Sequence, residues 1–518
     1  MQYVHRALRS ESGIVYYEVG PDETCWVTSD EFRQNSEDAK SRVQSVGISM
    51  LHARDWNALR AEASDTPVDV EASVIIATRP GWARPDIYVF PDGKVIRGKG
   101  IDAEVFVGFP TNDIYRPKGS LASWKAGFDQ LIPGSKLITG LLAYGFAPLL
   151  LDVAPSYILN PQLELVGPPE CGKTIVAKAI MSIYGGNPRS ELGIGRSWDM
   201  TEAALESVRS VHTDGMLFLD ENSTIKDPEV VARLVFGASS SSSRARYGDT
   251  HAPEPVHLAL LSTGNIALSQ RGIAAPDKRR ALLTRLISLQ FRGPLIVQTP
   301  SGFDGTREVV EALNDHCDKN YGMAARRFVH KVVARRQADE VAFRAEVLAL
   351  IKRFKDKMPE RPHDSDRILD TCALTYAAGK LAKQWDILPS ESADVYASVR
   401  LLYRKASASL VPPAEAEARR KLRAVIRANK GEIIDIDVGD YIDGRLAPLG
   451  PLGARVVGEG DVVYYFKVDA LKEVLGDNAA VTLKALKSAG DLISEKGRLS
   501  KKAPRPFDGK IRVYEVRM

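Results

Sequence analysis

The chain has 518 residues, too many for one hydrophobic core, so two to four domains are expected. With 44% hydrophobic and 26% charged residues it has the make-up of an ordinary soluble protein, and a formal charge of +4 is too small to argue nucleic-acid binding from net charge alone. Cys25, Cys171, Cys317 and Cys372 lie far apart with no Cys-x-x-Cys and no paired histidines, which speaks against a disulfide framework or a zinc site and for a reducing, cytoplasmic setting; no uncharged apolar run reaches bilayer length, so no membrane partner is expected.

Residues 1–117 read as a small α+β domain. Alternating strands are expected at Gly13–Val19, Val70–Thr78 and Asp86–Phe90, the last closed by a Pro91-Asp92-Gly93 turn, with an amphipathic helix over Arg54–Ala63. Trp82 reads as a core aromatic rather than a binding one. Two apolar-periodic segments then predict helices, one through Leu121, Trp124, Phe128 and Leu131 and one, buried all round, over Leu137–Val153.

The stretch Leu163–Ile180, LELVGPPECGKTIVAKAI, is an apolar strand, a loop matching G-x-x-x-x-G-K-T, and a helix. Gly167, Pro168, Pro169, Glu170, Cys171, Gly172, Lys173 and Thr174 are expected to form a phosphate-binding loop for a nucleotide: the glycines let backbone N–H groups approach phosphate oxygens, Lys173 reaches the β- and γ-phosphates, and Thr174 ligates Mg²⁺. The thiol of Cys171, at a helix N-terminus, is a candidate for redox sensitivity. The helix should stop at Gly185-Gly186-Asn187-Pro188, with a short strand over Leu192–Ile194 and a helix from Thr201 to Val211 capped by Thr201.

MLFLDE, Met216–Glu221, is a buried parallel strand with two carboxylates at its C-terminal edge, where open α/β sheets place ligands; Asp220 suits the Mg²⁺ shell and Glu221 the attacking water. HLALLSTGN, His257–Asn265, is a second such strand whose polar end offers Asn265, or alternatively Thr263, to the γ-phosphate. Ala281–Phe291 reads as a helix end running into a strand with Arg285 at the junction, where it would reach a neighbour's nucleotide more readily than its own.

Phosphate loop, Asp-Glu strand, Asn-ended strand and an arginine before the fifth strand form an order of parts that resembles a AAA+ ring ATPase. LLTRLISLQF is similar to the segment that supplies the trans arginine finger in minichromosome-maintenance motors, which implies that role for Arg285 over Arg279 or Arg280. GWARPDIYVFPDG, GPPECGKT, RSWDMTEAALE, HTDGMLFLDE, RARYGD, LALLSTG, NYGMAARRF and DRILDTCALTYAAGKLA fall in the order and spacing of a bacterial family, domain of unknown function 927. That family occurs in phages and integrated elements and includes self-loading, minichromosome-maintenance-like helicases of staphylococcal cassette chromosome elements. Asn265 departs from it, since the family usually has an acidic residue there, although asparagine is the usual choice in AAA+ motors.

The resemblance implies an α/β fold: a AAA+ core with its preceding helices over 118–300, a helical lid over 301–409, and a winged-helix-like domain over 410–518. Between the Asp-Glu and Asn-ended strands, Gly237–Leu258 is expected to form a β-hairpin that contacts DNA phosphates through Arg244, Arg246 and His251. Arg326, Arg327, Lys331 and Arg335 read as a solvated basic face of a helix over Ala324–Arg336, and Arg367 in the lid as a second sensor on the nucleotide. At the C-terminus, a helix over Ala479–Ala489 and two strands around a basic loop (Lys496, Arg498, Lys501, Lys502, Arg505) resemble a winged helix, a module that binds DNA or docks a protein. The implied function is an ATP-driven homo-hexameric motor that moves on single-stranded or forked DNA, with a primase or single-strand-binding protein acting in trans. The alternatives are a AAA+ remodeller acting on a protein partner and an ATP-controlled oligomeric defence assembly.

Overall fold

The computed structural model describes residues 2–9, 13–69, 74–186, 193–222, 228–239, 255–268, 282, 284–358, 365–407, 414–436, 447–457, 462–488, 490–495, 498–504, 507–508 and 510–517. These form two compact units, Met1–Leu410 and Val411–Met518. Among the described residues no helix is long and apolar enough to cross a membrane.

The first unit begins with β1 (Val4–Arg9), β2 (Val15–Val19) and β3 (Cys25–Thr28), an antiparallel meander. Helices α1 (Ser29–Gln34), α2 (Glu37–Ser45) and α3 (Ala53–Asp65) cover it, burying Phe32, Val43, Trp56 and Leu59 against Val4, Val19 and Val27. A capping box starts α1: the Thr28 hydroxyl accepts from the Glu31 N–H at 3.1 Å while the Glu31 carboxylate accepts from the Thr28 N–H. Strand β4 (Val68–Asp69) adds to β1 in parallel. Next come β5 (Val74–Ala77), the antiparallel trio β6 (Gly81–Arg84), β7 (Ile87–Val89) and β8 (Val95–Arg97), and β9 (Glu104–Val107), which pairs with β5. Trp82 packs edge-on to Tyr88 with the Arg336 guanidinium 4.7 Å over its ring, a packing role as expected.

Two serine-capped helices, α4 (Leu121–Leu131) and α5 (Lys136–Phe146), lead to the central sheet; α5 is buried along most of its length and passes into a 3₁₀ turn at Ala147–Leu150. The sheet is built from β10 (Gln162–Val166), then α6 (Lys173–Met181), β11 (Arg196–Ser197), α7 (Glu202–Ser210), β12 (Gly215–Asp220), α8 (Pro228–Ser239), β13 (Leu258–Gly264) and β14 (Ile287–Gln290). All five strands run parallel in the order β11-β12-β13-β10-β14. Of the strand expected over Leu192–Ile194, Leu192 lies outside the described residues and Gly193 takes a left-handed φ of 58° that an extended strand does not use; the described strand is Arg196–Ser197. Thr201 caps α7 as expected, accepting from the Ala204 N–H at 3.2 Å.

Side chains alternate across the sheet. Leu163, Leu165, Met216, Phe218, Ala259 and Leu261 join the large core with α5 and the later helices, whereas Leu217, Leu219, Leu258 and Leu260 face a second core with Trp198, Val235 and Leu286. On that second face β10 is polar. Gln162 donates to Val235 O at 2.8 Å, and Glu164 accepts from the Ser288 hydroxyl and from the Leu268 N–H at 3.2 Å. Just ahead of the strand, Asn160 donates to Ala238 O and Val256 O at 3.2 and 2.8 Å and accepts from the Leu258 N–H, fastening the two described ends that flank residues 240–254.

Helices α9 (Thr306–Lys319), α10 (Met323–Asp356, kinked at Asp339), α11 (Asp366–Gln384) and α12 (Val395–Ser407) complete the unit. Gly379 of α11 lies where a Cβ would press on Ala143 of α5, so the two helices approach closely. The basic face expected over Ala324–Arg336 is partly turned inward: Arg326 pairs with Asp92 at 2.5 Å beneath the Phe90 ring, and Arg335 pairs with Glu346.

In the second unit, α13 (Ala414–Ala428) precedes β15 (Ile433–Ile436), β16 (Gly453–Val457), β17 (Val462–Lys467), α14 (Val468–Leu475), α15 (Ala479–Ser488), β18 (Leu492–Ile493), β19 (Lys501–Lys502) and β20 (Arg512–Arg517). The strands run in the order β15-β16-β17-β20-β18, with β19 also on β20, over a core of Leu422, Phe466, Leu471, Leu483, Leu486 and Val516. The sheet is therefore larger than the two strands anticipated from the sequence.

Candidate functional site

Strand β10 ends at Val166 and the chain enters the loop Gly167–Gly172. Glu170 (φ 61°) and Gly172 (φ 90°) take left-handed conformations that fold the loop back before α6 begins at Lys173. Lys173 is buried except for a few per cent of its surface, and its ammonium donates to Gly167 O at 2.9 Å, Pro168 O at 2.8 Å and Asn265 Oδ1 at 3.1 Å. The loop is thereby tied to the end of β13, as it also is by the Gly167 N–H donating to Gly264 O at 3.2 Å. Cys171 is buried, its sulfur 3.8 Å from the same ammonium and packed on Gly167.

Two strands away, β12 delivers Asp220 and Glu221. The Thr174 hydroxyl stands 3.3 Å from Asp220 Oδ1, and a hydroxyl beside a carboxylate is an oxygen donor set that suits Mg²⁺ sharing its shell with phosphate and water. Among the described residues no cluster of three or more His, Cys, Asp or Glu offers another metal site. The sequence left Asn265 and Thr263 open for one role; the structure gives them different positions. The Thr263 hydroxyl donates to Asp220 and accepts from the Glu221 N–H at 3.1 Å, so it braces the carboxylate pair, while Asn265 reaches the loop lysine. Glu221 itself has a φ of 51°, a conformation costing on the order of 1 kcal/mol or more for a non-glycine residue and often found where a side chain must be aimed.

Asn222 was not anticipated. It is fully buried, donates to Ile266 O at 2.9 Å, and packs against Gly264, where a Cβ would collide with it. It joins the end of β12 to the turn after β13, and the only sequence sign of it was its place after the carboxylates.

Arg285 and Arg367 lie elsewhere. Both line a small cleft with Tyr157, Asn160, Thr284 and Asp370, at the amino ends of the strands. The pairing of Leu163 with Ile287 and Val166 with Gln290 puts Arg285 ahead of the start of β10, roughly 20 Å of strand from the phosphate loop. Its guanidinium lies 4.7 Å over the Phe236 ring of α8, and burial, with Arg367 nearby, pushes its pKa down from the ordinary arginine value. Arg367, in the first turn of α11, is thus grouped with Arg285 and not with the loop of its own chain.

The family model described as domain of unknown function (DUF927) matches residues 12–251, a little under half of the chain. No curated protein matches the sequence. A solved structure titled "SCCmec type IV Cch - active helicase" is similar at 14% identity with a TM-score of 0.58, over 99% of this chain and 92% of that one. The two share a fold. A second, titled "The A form apo structure of NrS-1 C terminal region-CTR", is similar at 11% identity over 60% of this chain and 65% of that one, with a TM-score of 0.29, too low to bear on the fold. The DUF927 match runs from the N-terminal meander through the phosphate loop and the carboxylate strand, so the region before α4 belongs to the same matched stretch as the site.

Of the expected DNA contacts, Arg244, Arg246, His251, Lys496 and Arg505 lie outside the described residues. Arg498 and Lys502 are exposed, while Lys501 is half-buried and pairs with the buried Glu515 at 2.5 Å, an internal ion pair of the β19–β20 hairpin.

Proposed function

We propose that the chain is a AAA+ ATPase that works as a hexameric ring motor, separating DNA strands during replication of a phage or integrated element. The observation that carries the ATPase reading is the placing of β13 between the phosphate-loop strand and the carboxylate strand. The carboxylates at the end of β12 are thereby set beside the phosphate loop, with the Thr174 hydroxyl in reach of Asp220 and with Asn265, at the end of the intervening strand, in reach of Lys173.

In this reading the loop N–H groups and Lys173 bind the β- and γ-phosphates of ATP, Glu221 orients the water and polarises it, and Asn265 positions the γ-phosphate. Thr174 and Asp220 would hold Mg²⁺, whose charge offsets that of the phosphates. A neighbour's Arg285, with its Arg367, completes the site; such an arginine contributes on the order of a thousandfold or more to turnover. DNA as the track is supported by the fold shared with a structure titled an active helicase, and by the topology of the second unit. There β17, β20 and β18 lie side by side with α14 and α15 between them in sequence, as in a winged helix, and exposed Arg498 and Lys502 sit on the wing.

The test is ATP turnover with and without single-stranded and forked DNA, followed by displacement of the fork's strand. The expected outcome is DNA-stimulated turnover and displacement. Turnover indifferent to DNA but raised by a protein partner would replace this reading with the remodeller one.

A further inference from the structure

Positive charge is not spread evenly along the chain. The second unit holds 20 lysines and arginines against 16 aspartates and glutamates, while the first 410 residues hold 50 of each, so the whole formal excess of +4 lies in Val411–Met518. Part of it stands on α13. That helix buries Ala418 and Leu422 in the core it shares with Leu483 and Leu486 of α15, and its outer face carries Arg420, Arg423 and Arg427, with Lys430 in the turn beyond. Spaced three and four residues apart, these cations fall on one side of the helix, and all four are exposed.

Neighbouring acids do not neutralise the row. Glu417 lies 3.4 Å from Lys421 and 3.7 Å from Arg420, and Asp491 is taken up by Arg419, which donates to its two oxygens at 2.6 and 3.0 Å. Among the described residues neither Arg423 nor Arg427 has an ion-pair partner. Like charges at this spacing destabilise a helix. The helix dipole favours Arg427 near the C-terminal end, but its effect is confined to the last turn and does nothing for Arg420 or Arg423. A bound polyanion would offset the repulsion along the whole row.

We propose that the outer face of α13 is a DNA-contacting surface distinct from the wing, and that it grips the phosphate backbone of duplex DNA. The planar fork of an arginine matches phosphate oxygens in pairs, and the rise of a helix sets Arg420, Arg423 and Arg427 along about 10 Å, so that neighbouring phosphates can be met in turn. Neither α13 nor the turn after it contains an aromatic residue. Single strands are held by stacking their bases on aromatic rings as well as by charge, so a row of charge alone suits a duplex, whose bases are already stacked. The inference rests on the DNA reading above and adds to it the form of DNA that this face holds.

The experiment measures binding of a blunt DNA duplex and of oligo-dT of the same length to the full-length chain as salt is raised, for the wild type, for Arg423→Ala with Arg427→Ala, and for Arg423→Lys with Arg427→Lys. The alanine pair should lose on the order of tenfold in duplex affinity, with a slope of log affinity against log salt shallower by about two, since each neutralised phosphate contributes about 0.9. The lysine pair keeps both charges and should keep the slope, and oligo-dT should bind all three chains alike. Duplex affinity and slope unchanged in the alanine pair would overturn the assignment, and so would an equal loss for oligo-dT or a lysine pair as weak as the alanine pair. Vesicles rich in phosphatidylserine that bind the wild type but not the alanine pair, with duplex binding unaltered, would give the face to a membrane surface instead. A wild type that bound neither duplex nor oligo-dT would overturn the DNA reading and this inference with it.

Discussion

At the carboxyl ends of β10, β12 and β13 the chain gathers an ammonium, two carboxylates and an amide; at the amino ends of the same sheet it gathers two arginines. The first group is bound together within the subunit, Lys173 to Asn265 and Thr263 to Asp220 and Glu221. The second faces a shallow cleft, with Arg285 over Phe236 and Arg367 in the first turn of α11. The length of a strand keeps the two groups apart, so under the proposed function a single copy of the chain carries both halves of a phosphoryl-transfer site and cannot join its own two halves. What the contrast teaches is that stacking copies head to tail is the simplest way to unite them.

Each end can be broken separately. At the phosphate end, Thr263→Val removes the hydroxyl that braces Asp220 and Glu221 while keeping the side-chain volume. Turnover should fall on the order of a hundredfold with ATP affinity nearly unchanged, measured as kcat and a binding constant; unaltered kcat would mean that the strand alone aims the carboxylates. At the arginine end, Phe236→Ala takes away the ring under Arg285. A cation–π contact of this kind is worth about 0.5–2 kcal/mol, so kcat should drop about twofold to thirtyfold, again with ATP binding intact. A larger loss of ATP affinity than of kcat would place Phe236 on the wrong side of the comparison.

The phosphate end was far more legible in the sequence than the arginine end, for a physical reason. A phosphate loop is local: strand, glycines, Lys173 and the start of a helix are contiguous, and the apolar run ending in Asp220-Glu221 announces its own burial and edge. Arg285 could be singled out by its place before a strand, but its grouping with Arg367, about eighty residues further on, depends on how α11 packs on the sheet. The same holds for the bracing role of Thr263 and for Asn222 under Gly264. The strand expected near Ile194 shows the converse: an apolar residue marked burial correctly, while the left-handed Gly193 before it does not fit an extended run. In the second unit the basic loop was visible, yet Lys501 turned out to serve Glu515, because an acidic residue buried in β20 needs a partner more than the surface needs another charge.

The measurement that bears most directly on a site divided between subunits is a mixing experiment with Arg285→Ala and Lys173→Ala. Alone, the first should bind ATP with turnover reduced about a thousandfold, and the second should bind it poorly. Mixed, some interfaces pair the intact loop of one variant with the intact arginine of the other, and turnover should rise above the sum of the separate activities. A mixture no more active than that sum, or Arg285→Ala turning over at the wild-type rate, would contradict the account.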